Sequence, residues 1–397
     1  MLNSIRGITA LILFFIPAIL FGSEPHYAIV IDAGSTGSRL HLFQYDEVKK
    51  IPAITELFSE KITPGLASFA STPEKAGPAL AVLLNKANAT LATKQINPQD
   101  VSLYLFGTAG MRLLAKDSPE KAQTIYAAVS EYISKNYTFH VADINTVPEK
   151  MEGVYDWLAV NYLMHHFDAN SDETVGIIDM GGASMEIAYS TLDKNRLADE
   201  VPIKIGGHVY TVFSQNFLNL GQDQALKAIN RRPETADTCY PTNYKREYDR
   251  IGNYNFNVCS SLYRDLLAEQ HVAEKILPFA KQKFIAFSGI YYTEHFFLET
   301  ESAPNYQMFS ERVRSICQMS WEQLKTSYPQ SSENYLAAYC AHGAYVTELL
   351  YKTYGLNPTQ FNIQNKIEQK DIDWALGALL YQLANVDASF SSSFSRH

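Results

Sequence analysis

Ile29-Val30-Ile31-Asp32-Ala33-Gly34-Ser35-Thr36-Gly37-Ser38-Arg39-Leu40-His41-Leu42-Phe43 is the stretch on which the fold of this chain turns. An apolar β-branched run reaches an aspartate, breaks at a glycine-rich polar turn and resumes as an alternating strand, the pattern of a β-hairpin. Gly34, Ser35 and Thr36 in that turn offer backbone N–H groups and hydroxyls beside one carboxylate. Such N–H groups make a concave seat for a phosphate, and the carboxylate suits the phosphate's cation. A loop of this kind standing alone is more often an ordinary polar turn. A second copy changes that. Ile177-Ile178-Asp179-Met180-Gly181-Gly182-Ala183-Ser184 matches Val30–Gly37 position by position and again runs into an alternating strand. The wide separation fits a duplicated lobe rather than a solenoid.

The chain has 397 residues, enough for two domains or one bilobed fold with substantial cores. A net charge of -9 argues against general affinity for nucleic acid or anionic membranes, so a polyanion must be held by local N–H groups and a cation. Met1–Gly22 carries Arg6, then the apolar run Ile8–Phe21 interrupted by Pro17, then Gly22-Ser23. Residues 1–23 therefore read as a cleavable signal peptide, with an uncleaved anchor as the alternative. No later segment is apolar for long enough to span a bilayer, so the mature chain is expected without an anchor, secreted or periplasmic. Cys239, Cys259, Cys317 and Cys340 form an even set, which in an exported chain implies two disulfides. Three connectivities are open; nearest-neighbour pairing is the choice made here. The absence of Cys-x-x-Cys disfavours a zinc knuckle or redox motif. Asn88 and Asn136 are the Asn-x-Thr acceptors.

Strands and helices alternate along the chain, the signature of a layered α/β protein. Helices are expected over Pro73–Thr93, Ser118–Lys135, Glu149–Phe167, Ser310–Tyr328, Asn334–Tyr354 and Asp371–Ala384, the last followed by a Ser-rich tail expected to be disordered. Strands are expected at Val101–Phe106, Phe139–Ile144 and Lys283–Ser288. Residues 170–173 read as a polar break, and 223–258 as a short helix and a loop holding the first cysteines. Two phosphate-seating hairpins in related lobes would face each other across a cleft, with Asp32 and Asp179 converging on one divalent ion through its waters. Magnesium suits this, because it keeps several waters and takes few carboxylates.

Five segments in order carry a resemblance over nearly the whole mature chain: Asp32–Arg39, Gly107–Arg112, Met151–Trp157, Asp179–Ser184 and Phe287–Tyr292. The chain resembles the actin, sugar-kinase and heat-shock chaperone superfamily and, more narrowly, the ecto-nucleoside triphosphate diphosphohydrolases, or apyrases. The resemblance implies an α/β, two-lobed actin-like (ribonuclease H-like) fold with the active site between the lobes. Lobe I is expected over 24–147 plus 366–397, and lobe II over 148–365. It also implies a monomeric hydrolase of nucleoside tri- and/or diphosphates that uses Mg2+, Ca2+ or Mn2+. A polyphosphate or guanosine-pentaphosphate phosphatase and a slow nucleotide switch are the alternatives.

The resemblance assigns roles residue by residue. Glu152 is the catalytic base, although helical spacing alone leaves Glu149 its equal. Ser184 helps hold the attacking water. Glu186 stands where the family usually has glutamine, which implies an extra negative charge near the terminal phosphate and an altered rate or metal preference, towards manganese. Thr108 and Ala109 lie in a phosphate-contacting loop, with Gly182 and Ala183 adding N–H groups from the second turn. Arg39 and Arg112 divide evenly between phosphate contact and structural ion pairs. Gly37 stands where the family often has histidine. Tyr292 and Tyr335 fall at or near the positions that sandwich a nucleobase, while Tyr339 and Trp374 read as packing support.

Overall fold

The computed structural model describes residues 25–46, 50–168, 173–191, 200–232, 235–276, 278–279, 281–298 and 304–393. The expected signal peptide at 1–23 and most of the polar break lie outside them.

Two sheets are built on one plan. In the first, β1 (His26–Ala33) and β2 (Ser38–Tyr45) form the expected hairpin, with Ala33 opposite Ser38. β3 (Ile54–Ile62) adds antiparallel to β2. On the other side β4 (Val101–Gly107) and β5 (His140–Thr146) add in parallel, giving the order β3-β2-β1-β4-β5. In the second sheet the central hairpin is β6 (Gly176–Met180) and β7 (Ser184–Ser190). β8 (Glu200–Ile205) and β9 (His208–Leu218) extend it antiparallel, and β10 (Phe284–Ser288) and β11 (Phe361–Ile363) extend it in parallel. Every residue of β6 is buried, as a continuous apolar run covered on both faces requires.

α1 (Ala76–Thr93), α2 (Ala109–Asp117) and α3 (Pro119–Asn136) belong to the first sheet. α1 buries Leu80, Leu83, Leu84, Ala87 and Leu91, an apolar stripe at helical spacing. α4 (Glu149–Leu163) packs on β6, β7 and β9. The second sheet carries α5 (Gln222–Asn230), α6 (Phe256–Glu269), α7 (Gly289–Leu298), α8 (Tyr306–Cys317), α9 (Trp321–Ser327) and α10 (Glu333–Thr347). α11 (Trp374–Ser393) then crosses α4 and reaches β1, so this helix pair joins the two sheets. The crossing is close: a β-carbon on Gly377 would lie 1.8 Å from the Tyr155 carbonyl oxygen.

Several element boundaries differ from the expected ones, each for a local reason. α4 ends at Leu163 rather than Phe167. The stretch 310–328 is two helices, because Ser320 and Gln323 form a capping box that starts a new one. α10 passes at Glu348 into a π turn. Cys259 sits in α6, not in a loop, and α2 begins at Ala109 where a phosphate loop was expected. The last helix continues through the Ser-rich stretch to Ser393, against the expectation of disorder. The disulfides are the nearest-neighbour pairs, Cys239–Cys259 and Cys317–Cys340, the second tying α8 to α10. Among the described residues no helix is long and apolar enough to cross a membrane.

Candidate active site

Both hairpin turns open into one cleft of about 570 Å³ between the sheets. They face each other directly: a β-carbon on Gly182 would lie 3.1 Å from Ser35 Oγ and 3.3 Å from Thr36 Cγ2. None of Gly34, Gly37, Gly181 or Gly182 has a positive φ, so what these glycines supply is room for close approach. The second turn is braced by α5, whose Gln222 and Asp223 N–H groups donate to the Gly181 and Gly182 carbonyls at 2.9 and 3.0 Å. The first is braced by β4 and α2. The Thr108 N–H donates to the Ala33 carbonyl at 3.2 Å, and a β-carbon on Gly110 would lie 2.8 Å from Ser35 Cα. Gly34, Ser35, Thr36, Thr108, Ala109, Gly182, Ala183 and Ser184 all line the cleft.

Asp32 and Asp179 are the penultimate residues of β1 and β6, and both line the cleft. In each, Oδ1 is buried and lacks a hydrogen-bond partner. Burial, then the charges of Asp373 and Glu152, hold Asp32 well above the usual carboxylate range, and burial pushes Asp179 up to about 7. Two buried, under-satisfied carboxylates in one cleft are the kind of donor a hard divalent cation takes. Among the described residues no cluster of three or more ligating side chains is present.

Glu152 is buried in the first turn of α4 and lines the cleft; Glu149, its equal by spacing, is exposed and does not. Arg112 separates them. Its Nη2 donates to Glu152 Oε2 while Nη1 donates to the Val147 carbonyl at 3.2 Å. Gly153 lets this end of α4 press on β9, since a β-carbon there would lie 2.6 Å from Ser214 Oγ. Arg39 likewise makes an ion pair, with Nη1 3.2 Å from Asp373 Oδ2, although it also lines the cleft.

Glu186 is placed differently from expectation. It lies opposite Asp179 in the β6–β7 register but is buried and does not line the cleft. Asn216 Nδ2 donates to its Oε1 at 2.5 Å. Burial, then Glu152 and Asp179, push its carboxyl well above the usual range.

At the mouth, Tyr292 and Tyr335 stand 55% and 61% exposed, unusual for large aromatic rings. Asn365 positions the first: its Nδ2 donates to Tyr292 Oη at 3.2 Å while its Oδ1 accepts from the Ser288 N–H at 3.1 Å. Ser288 has φ 54°, a strained backbone at the cleft wall. Tyr339 and Trp374 line the cleft as well as packing, on Phe296 and Tyr155 respectively.

Residues not expected from the sequence complete the site. Asp373, before α11, lines the cleft; burial opposes its charge, but His41 and Arg39 hold it well below the usual carboxylate range. Burial likewise works against charge on His41, yet Asp373 on one side and Glu56 on the other push it up to about 10. Asp156, one turn after Glu152, is buried with neither carboxylate oxygen hydrogen-bonded. The helical spacing from Glu152 was the available signal for it; for Asp373 only its place before a helix was.

Two sheets of one plan, each offering a turn to a shared cleft, define the two-lobed actin-like class. Solved structures share the fold, among them a nucleoside triphosphate hydrolase of Neospora caninum (TM-score 0.64, 14% identity, 91% of this chain and 93% of that one). The Ppx/GppA family member of Aquifex aeolicus is another (TM-score 0.56, 13% identity, 92% and 99%). The profile of the GDA1/CD39 (nucleoside phosphatase) family matches residues 19–393, and the chain belongs to that family. Its relatives include ectonucleoside triphosphate diphosphohydrolase 1 of Mus musculus, 27% identical over 89% of this chain and 80% of that one. Probable apyrase 3 of Arabidopsis thaliana is 28% identical over 92% and 84%. The chain is a hydrolase of phosphoric anhydride bonds in nucleoside phosphates.

Proposed function

We propose that the enzyme is exported and removes the terminal phosphate of nucleoside tri- and diphosphates with a divalent cation, Glu152 acting as base. The observation that carries this is the meeting of the two turns above Asp32 and Asp179, with the Arg112-held Glu152 in the same cleft. Two disulfides support an oxidising compartment. Asp32 and Asp179 would hold the cation, which when bound neutralises phosphate charge and polarises the terminal phosphoryl oxygens.

The chain's own groups do the rest. N–H groups of Gly34–Thr36 and Gly182–Ser184 seat the terminal phosphate, and Thr108 closes the seat. Water is oriented by the Ser184 hydroxyl and by Glu152, whose Oε2 is occupied by Arg112, so Oε1 takes the proton. The water oxygen bonds to phosphorus as the bridging P–O bond breaks, and its electron pair leaves with the shorter nucleotide. Tyr292 and Tyr335 clasp the base by stacking, which favours a nucleoside over bare polyphosphate and tolerates any base.

Phosphate release from ATP, ADP, AMP and inorganic polyphosphate, each with magnesium, calcium and manganese, tests the reading. Turnover of ATP but not AMP, abolished by a chelator, is expected. Polyphosphate turned over faster than ATP, or release from AMP, overturns it.

A further inference from the structure

We propose that Lys61, near the end of β3, is a substrate-binding residue whose ammonium holds the phosphate chain on the first sheet's side of the cleft. The inference rests on the polyphosphate-cleaving reading above. Its basis is a pair of matching rows at the cleft ends of the two sheets. Strand register sets Lys61, Arg39 and Asp32 side by side across β3, β2 and β1, and Asn216, Glu186 and Asp179 side by side across β9, β7 and β6.

The second row is satisfied internally, because Asn216 donates to Glu186. In the first, Arg39 is bound to Asp373, whereas Lys61 has neither a hydrogen bond nor an ion pair among the described residues. Like charges directly opposite on neighbouring strands destabilise a sheet, and Arg39 and Lys61 are such a pair. An anion in front of them relieves the repulsion.

The sequence also makes room for the end of β3 and the lysine stem. Gly37 carries no side chain, and a β-carbon there would lie 2.4 Å from the Ile62 carbonyl oxygen and 2.9 Å from Lys61 Cε. The lysine stem therefore runs against the same turn whose N–H groups seat phosphate, and the residue lines the cleft. Carboxylates dominate that lining: Asp32, Glu152, Asp156, Asp179, Asp223 and Asp373. A polyanion entering it meets two lysine or arginine cations among the described lining residues, Arg39 already committed to Asp373 and Lys61 uncommitted. An ammonium on a flexible stem acts as a mobile point charge without fixing geometry. Its contribution thus belongs to binding the phosphate chain, not to the chemical step.

Steady-state hydrolysis of ATP at low salt by wild type, Lys61→Met and Lys61→Arg tests this. Lys61→Met keeps length and loses charge at an exposed position, so the fold is retained. Its KM should rise about tenfold with kcat within about twofold, the loss of one hydrogen bond to a charged group. Lys61→Arg should return KM to within about threefold of wild type, because charge is kept while geometry changes. Wild-type KM should also climb with ionic strength more steeply than that of Lys61→Met. An unmoved KM in Lys61→Met, or a fall in kcat in its place, overturns the role. Wild-type enzyme that fails to release phosphate from ATP sinks the underlying reading instead, so the two failures are distinguishable.

Discussion

His342 shows how a single side chain can set the pH range of the fold. It is buried on α10 with Nε2 lacking a hydrogen-bond partner, and burial brings its pKa down to about 4. The unfolded chain takes up that proton near pH 6.5. Between those values the unfolded state binds more protons than the folded one, so stability falls as pH drops from about 6.5 towards 4. Denaturant unfolding of His342→Leu against wild type should therefore give curves that diverge over this range, by about 3 kcal/mol at its acid end. Parallel curves would contradict it. Single residues were also where the sequence was least legible. Spacing on α4 could not choose between Glu149 and Glu152, because the residue that separates them, Arg112, comes from another element. His41 sits two residues past Arg39 on β2 and looks like ordinary strand patterning until Asp373 is brought beside it.

Elements were legible where their signal is local. Both central hairpins, the stripe on α1 and the proline-started α3 follow from patterns within a few residues. β8 and β9 were not expected from the sequence, although a local signal was present: their connection is Gly206-Gly207, with φ of 63° and 83°, as a tight hairpin turn demands. Helix ends were less legible, since the Ser320 cap and the π turn after α10 depend on which backbone groups find partners. The α4–α11 crossing is an element-scale feature with a sharp consequence. With the Tyr155 carbonyl 1.8 Å from where a β-carbon would fall, Gly377→Ala must force the helices apart. Thermal unfolding should register a loss of about 3 kcal/mol, the upper end for overpacking. An unchanged midpoint would mean that the crossing adjusts freely.

The molecule as a whole was legible as a duplication, because the Asp–Gly turn recurs with its flanking strands. How the halves are joined was not. The junction is built by α4 and α11 between the sheets, a long-range packing that no periodicity encodes. Its result is that the proposed phosphate seats are presented by the turns at strand ends of the two sheets, while the proposed base stands on the joining helix. That division of labour is the central claim, and Glu152→Gln tests it most directly. The substitution keeps the side chain's shape while removing its ability to accept the water's proton. Phosphate release from saturating ATP should fall by about a hundredfold to ten-thousandfold, the usual worth of a general base, with KM little changed. Turnover within about tenfold of wild type, short of that range, would contradict the account.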